Sequence, residues 1–350
     1  MPVGQGIAGE ARRDAAGRIR TPKLLRPVGR SRWGMAAALA LALGAILVTS
    51  VLAGRAELGS AVGLGFVLTA VPELPGTLRA ALETICVRAV TVVAGGVIVV
   101  VCAPHSYLLA GATVAAAVFG ALVPRVGATA GLSVVLIAID LGGAAAGIGA
   151  LYPHVVGAAV VGVAWLVWFG SARLLHLNEV TTPTPRSAGP GPSHALRVGV
   201  AMGLAVSAAA LLPEDVVGGH WLVTSVLLTI QPSRWSTGVR LVQRLSGNTV
   251  GAVIAAVVLG TQPPAPVAIG VTVGLFVVAM ALRPVNYTWW AITGPPVLLV
   301  ISEYPELFPW YEGGVRLAMN LGGAVIVVLV VFAIPMLARR LRSRVSPGRR

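Results

Sequence analysis

From Trp33 to Leu337 the chain is a succession of apolar stretches rich in Ala, Val, Leu and Gly, separated mostly by short loops. Only 11% of its 350 residues are charged while 56% are hydrophobic, and the mean hydropathy is +0.87. A water-soluble surface needs roughly 25% charged residues. Lipid must therefore solvate much of the outside. In lipid every backbone N–H and C=O is satisfied within the protein, so only helices or closed barrels span. The apolar runs lack period-two alternation, which selects helices.

A span takes about 17–25 mostly apolar residues, fewer inside a bundle. That rule predicts helices near 34–54, 58–72, 89–103, 106–123, 127–144 and 152–170. A second set follows near 195–212, 219–231, 245–260, 265–282, 287–302 and 315–337. The expected fold is an all-α polytopic membrane protein of about twelve transmembrane helices. Residues 1–33 form a basic tail, 34–172 a first six-helix half and 173–194 a Pro/Gly-rich linker; 195–337 form a second half and 338–350 a second basic tail. The N-terminal segment resembles the n-region of a signal peptide. The apolar run after it is too long for an h-region and has no cleavage site, so the segment is expected to lead into the first span.

Lys and Arg in short loops set orientation. Arg79, Arg88, Arg125, Arg173, Arg186, Arg197, Arg234, Arg240, Arg244 and Arg283 fall on one side with both basic tails, whereas Arg55, Arg316, Glu57, Glu214, Asp215, Glu303, Glu306 and Glu312 fall on the other. The expected location is the cell membrane, with both termini and the linker cytoplasmic.

The linker divides the chain almost evenly, and a repeat crosses it. Thr69, Pro72 and Thr77 correspond to Thr229, Pro232 and Thr237, and Val123-Pro-Arg125 corresponds to Leu282-Arg283-Pro284. Six spans is an even number, so the two copies share one orientation and form a parallel repeat.

The net charge of +14 sits in tails and loops, with no basic face interleaved with aromatics, which argues against nucleic acid. Cys86 and Cys102 read as buried small hydrophobes rather than a disulfide or metal pair. No metal site or cofactor is expected. Without a Walker A sequence, an HExxH or a GxSxG, neither ATP drive nor an enzyme is expected. His105, His154, His176, His194 and His220 read as interfacial.

Three patterns bear on function. Arg-x6-Gly occurs as Arg88…Gly95, Arg244…Gly251 and Arg316…Gly323, two helical turns apart and so on one face. The Arg heads snorkel at the interface or line an anion path, and the glycines let helices approach closely. Asp140 lies in an apolar run and Glu303 ends another; they act as a coupling or gating pair, or both sit cheaply at the outer interface. Trp221, Trp289, Trp290 and Tyr304–Tyr311 form an aromatic belt or a stacking surface for an aromatic substrate.

Gly219-His-Trp-Leu-Val-Thr-Ser-Val-Leu-Leu-Thr-Ile-Gln-Pro232, then Arg240-x-x-x-Arg244 and Arg244-Leu-Ser-Gly247-Asn-Thr-Val-Gly251, resemble the fusaric acid resistance protein-like, or aromatic acid exporter, family. Asn248 departs from the family pattern by standing between Gly247 and Thr249. Trp310, Arg316, Gly322 and Gly323 match its closing pattern, and the resemblance is most specific over 219–337. It implies export of small organic anions such as aromatic carboxylic acids, driven by the proton motive force. Arg88, Arg240, Arg244 and Arg316 would form the anion path, Asp140 and Glu303 the coupling or gating site, and Gly95, Gly247, Gly251 and Gly323 the helix packing. The alternatives are a passive anion channel of the malate-transporter type, and a membrane scaffold whose basic tails bind anionic lipid head groups.

Overall fold

The computed structural model describes residues 31–71, 74–75, 77–142, 147–175, 191–212, 218–303 and 311–345. Among them the ordered structure is helical throughout. The first half holds α1 (Trp33–Leu52), α2 (Ala56–Thr69), α3 (Leu78–Cys102), α4 (Ser106–Leu122) and α5 (Thr129–Asp140). A 3-10 turn, Ile148–Leu151, leads into α6 (Tyr152–Leu174). The second half holds α7 (Pro192–Ala210), α8 (Gly219–Thr229), α9 (Arg234–Gly260), α10 (Ala265–Leu282), α11 (Tyr287–Glu303) and α12 (Glu312–Val328). A π turn, Leu329–Ala333, continues into α13 (Ile334–Val345).

Seven of these are long and apolar enough to cross a membrane: α1, α3, α6 with its leading turn, α7, α9, α10, and α12 continued to Ala338. The helices α2, α4, α5 and α11 are apolar but shorter. Only 22–39% of the most apolar window in each long helix is buried in the protein. The outward faces carry Leu41, Val90, Val101 and Val163, each more than half exposed. An apolar surface of that extent is a lipid surface. The chain is a multi-pass membrane protein.

Two helices begin well before their expected spans: α3 starts at Leu78 rather than near 89, and α9 at Arg234 rather than near 245. Each has a side-chain cap. The Thr77 hydroxyl accepts from the Ala80 N–H at 3.4 Å and the Ser233 hydroxyl from the Ser236 N–H at 3.0 Å, satisfying amide donors that a helix start leaves open. The basic stretches before the apolar runs are thus the first turns of the same helices. Cys86 is exposed and Cys102 half-buried, not buried as expected. On a lipid-facing helix a small apolar side chain gains nothing by turning inward. The tail 1–30, linker residues 176–190 and 346–350 lie outside the described residues, while 173–175 and 191–194 at the linker's ends belong to the ends of α6 and α7.

Two apolar cores each draw on both halves. One joins Met35, Leu39 and Leu43 of α1 and Phe66 of α2 to Phe276 and Met280 of α10. The other joins Ala117 of α4 to Val198 and Met202 of α7, Val226 of α8 and Val331 of the π turn. Packing is closest where glycines face backbone. A Cβ at Gly157 of α6 would collide with the Val62 carbonyl and the Phe66 amide of α2. Lipid supplies little hydrophobic drive between helices, so such close contact holds them together. Gly157→Leu is expected to destabilise the protein by about 1–3 kcal/mol or more. Gly111→Ala, where a Cβ meets nothing within 4 Å, is expected to leave stability unchanged. Thermal unfolding of the purified protein in detergent compares the two.

Candidate functional site

The helix α9 carries Arg240 and Arg244 one turn apart, then Asn248, Gly247 and Gly251 on the face it buries. The helix α12 repeats the design with Arg316, Asn320 and Gly323. Glycine lets these polar faces reach their neighbours. A Cβ at Gly247 would strike Ala291 of α11, at Gly251 the Ile292 carbonyl, and at Gly323 the Ser225 side chain of α8. In the first half, a Cβ at Gly95 would strike Ser133 of α5. Pro295 and Pro296 interrupt α11. Lacking N–H groups, they leave the carbonyls four residues earlier, on Ala291 and Ile292, without their helical donors. Those two carbonyls are the ones Gly251 faces.

Where these helices meet α2, α3, α5 and α8, they enclose a cavity of about 260 Å³. Its wall includes Arg88, Arg125, Arg244, Arg283 and Arg316 together with Trp221, Trp290, Asn248 and Asn320. No Asp or Glu lines it among the described residues. Arg125, in the α4–α5 loop, is exposed and ion-paired with Glu83 at 2.5 Å, so the cavity opens at that end.

The guanidinium groups inside are held by neutral partners. Arg244 donates from Nη1 to the Tyr287 hydroxyl at 3.0 Å and from Nη2 to Asn320 Oδ1 at 3.1 Å. Asn248 Nδ2 donates to the same oxygen at 2.9 Å, and Asn320 Nδ2 donates to the Arg316 carbonyl at 2.7 Å. Arg316 Nη1 donates to the Pro295 carbonyl at 3.1 Å while its guanidinium lies 3.5 Å from the centre of the Trp221 ring. Arg240 sits 3.5 Å over the Tyr287 ring and Arg283 4.5 Å over Trp290. Ring faces and carbonyl dipoles attract a cation without cancelling its charge. Desolvation first, then Arg88 and Arg240 nearby, push the Arg283 guanidinium down to about 10 against the opposing pull of Tyr287. It remains a cation at neutral pH. Arg244 Nε is buried with no hydrogen-bond partner among the described residues.

Of the expected anion-path residues, Arg88, Arg244 and Arg316 line one cavity, and Arg240 stands behind Tyr287. Arg316 had been expected at the outer mouth of the last span. It is instead buried in the second turn of α12, joined through Asn320 to Arg244. Asn248, which read as a departure from a pattern, has its partner in Asn320. Trp221 and Trp290 line the cavity and Trp289 does not. Asp140 faces α6. Its Oδ2 lies 3.0 Å from Nε2 of His154, which is buried rather than interfacial. The Glu303 side chain and Tyr304–Trp310 lie outside the described residues. Sequence reading missed Tyr287, Asn320 and Arg283 as site residues. The i,i+4 spacing of Arg316 and Asn320 was the available signal.

Asn320 is the joint of this network. Asn320→Leu removes the acceptor of two buried donors and is expected to destabilise the protein by at least about 2 kcal/mol, read from thermal unfolding in detergent. Asn320→Asp keeps an acceptor, and is expected to unfold no earlier than the wild type.

No curated protein and no solved structure matches the chain. A family model, described as fusaric acid resistance protein-like, matches residues 201–330. That span holds Trp221, Arg240, Arg244, Asn248, Arg283, Tyr287, Trp290, Arg316 and Asn320, so the part of the chain that carries the arginine–asparagine hydrogen bonds is the part similar to the fusaric acid resistance protein-like family.

Proposed function

We propose that this protein exports small organic anions, aromatic carboxylates among them, from the cytoplasm, driven by the proton motive force. One observation carries the reading: besides Arg125, which Glu83 pairs, the cavity wall holds four arginines with no ion pair among the described residues, two tryptophan faces and no carboxylate. Cations inside a bundle are costly unless paired, so an unneutralised group of them marks an ion site. A carboxylate would complete the charge and engage the unpartnered Arg244 Nε, while Trp221 and Trp290 offer ring faces to an aromatic body. The family's printed name, with resistance to an acid in it, agrees. Basic loops at the open end favour the cytoplasmic side for that end and for both termini.

Twelve spans in two same-orientation halves suit the packing, with the short helices α2, α5, α8 and α11 largely buried by their neighbours. The contact of α1 with α10 is answered by that of α7 with α4, and the contact of α2 with α6 by that of α8 with α12. At the far end of the chain, α13 exposes Ile334, Met336, Leu337 and Leu341 beside Arg340, a face suited to lipid tails below anionic head groups.

Cells expressing the wild type are expected to retain less labelled benzoate than cells without it. Arg244→Ala should abolish at least about nine-tenths of that difference, given that hydrogen bonds to charged groups contribute about 1.5–3 kcal/mol each. Unchanged retention across a panel of aromatic and aliphatic acids sinks the exporter. Efflux that survives an uncoupler, with current across a planar bilayer, assigns a passive channel instead.

A further inference from the structure

The polar pair Asp140–His154 lies outside the arginine cavity and has no role in holding it together. Asp140 ends α5, the negative end of a helix dipole and the unfavourable place for a carboxylate. Its compensation comes from α6: His154 Nε2 stands 3.0 Å from Asp140 Oδ2. The approach is not an aligned hydrogen bond, and Nδ1 has no hydrogen-bond partner among the described residues. His154 is 2% exposed, so neither nitrogen is satisfied by bulk water. An imidazole against a carboxylate in a dry setting is a place where one proton changes the local charge by a full unit.

The pair is joined to the cavity through α5, which carries Asp140, and through α2, which packs on His154. On α5, Leu132 and Leu136 are cavity wall, and Leu136 is one turn from Asp140. On α2, Gly65 presses on the His154 backbone, where a Cβ would strike its carbonyl, and Val67 and Leu68 just beyond are cavity wall. The Arg125 loop precedes α5 and Asp140 ends it, about 17 Å apart along the axis at 1.5 Å per residue. Asp140 thus stands at the end of α5 away from the Arg125 loop.

His154 also stands in a telling place. Gly157 of α6 faces Val62 of α2 as Gly323 of α12 faces Leu222 of α8. Three residues before those glycines stand His154 and Asn320. Where the second half places the amide that organises its arginines, the first half places an imidazole facing a carboxylate.

We infer that the Asp140–His154 pair binds the proton whose occupancy is linked to anion occupancy of the cavity. This rests on reading the cavity as an anion site. Binding forms one N–H bond on His154 facing the Asp140 carboxylate; no other bond breaks, and the proton leaves again as H⁺. Linkage is reciprocal, so a proton that changes anion affinity is itself held more or less tightly when the anion is bound.

Other titratable or charged groups stand at this end of the neighbouring elements. They are Arg55 and Glu57 at the start of α2, Cys102 closing α3, His105 and Tyr107 opening α4, Tyr152 in α6 and His220 opening α8. None forms an ion pair with Asp140 or His154 among the described residues. His220 packs its ring 4.3 Å from Trp221, a cavity residue, and is the rival source of pH dependence.

The test is binding of benzenesulfonate, an aromatic anion of constant charge between pH 5 and 8, to the full chain in detergent, read by tryptophan fluorescence with benzoate beside it. Wild-type affinity is expected to change with pH by up to about tenfold per unit, the slope of one linked proton. Asp140→Asn and His154→Gln, each folded by the thermal criterion above, should bind with that slope flattened, while His220→Gln keeps it. A flat wild-type slope, or a slope lost only in His220→Gln, overturns the inference and leaves the anion site standing. Absence of binding by either anion at every pH removes both readings. Equal binding by Arg244→Ala and the wild type removes the anion site, and the linkage built on it.

Discussion

Positive charge held without a negative partner is the condition the rest of this structure serves. A guanidinium taken out of water is expensive, and the usual remedy is a carboxylate at salt-bridge distance. Here Arg244 and Arg316 are buried, yet their partners are a tyrosine hydroxyl, an asparagine oxygen, a proline carbonyl and an indole face. Each supplies partial negative charge and none a full one. Arginine suits this because its planar, weakly hydrated group can stack and donate at once, which an ammonium cannot do as well. The field left over is what an anion entering the cavity would meet.

Bringing such partners together requires backbones to come unusually close, and this is where the small residues act. The contact of Gly251 with Ala291 and Ile292 places α9 against the part of α11 whose carbonyls the two prolines have released. The same prolines bend hydrogen bonding away from the regular ladder just where Pro295 presents its oxygen to Arg316. Break, glycine and arginine form one arrangement. In lipid, irregular backbone of this kind is tolerated only when buried in protein or lining a cavity, and here both conditions hold.

Much of the fold was legible because lipid imposes simple rules. Apolar runs marked the helices. The capped starts of α3 and α9 escaped, since a threonine or serine cap far ahead of an apolar run carries no hydropathy signal, and so did the end of α13, which stays helical to Val345 inside the expected 338–350 tail. The Arg-x6-Gly spacing pointed to faces that the structure buries. What it did not reveal was how those faces meet, because Arg316 and Arg244 come together through Asn320 across 72 or more residues of chain. Arg316 near the start of a span looked like a snorkelling anchor. His154, close to a loop and beside Pro153, looked interfacial. Its burial depends on Gly65 of α2 making room, a tertiary fact with no local mark.

The two halves use matching positions differently, and that difference carries a functional argument. Four residues after Arg244 stands Asn248, which ties it into the network. Four residues after Arg88 stands Val92, fully buried and apolar. Arg88 thus reaches the cavity without the amide that fixes its counterpart, and the first half contributes charge there but little fixed geometry. A binding site needs one rigid wall to orient its ligand, whereas movement needs a wall whose contacts can change without breaking a hydrogen-bond network. The second half, with its Arg–Asn–Tyr bonds, has the character of the first kind of wall. The first half meets the cavity with α2, α5, Arg88 and the Arg125 loop, and the ionisable contact between α5 and α6 among the described residues is the loosely aligned Asp140–His154 pair. It has the character of the second.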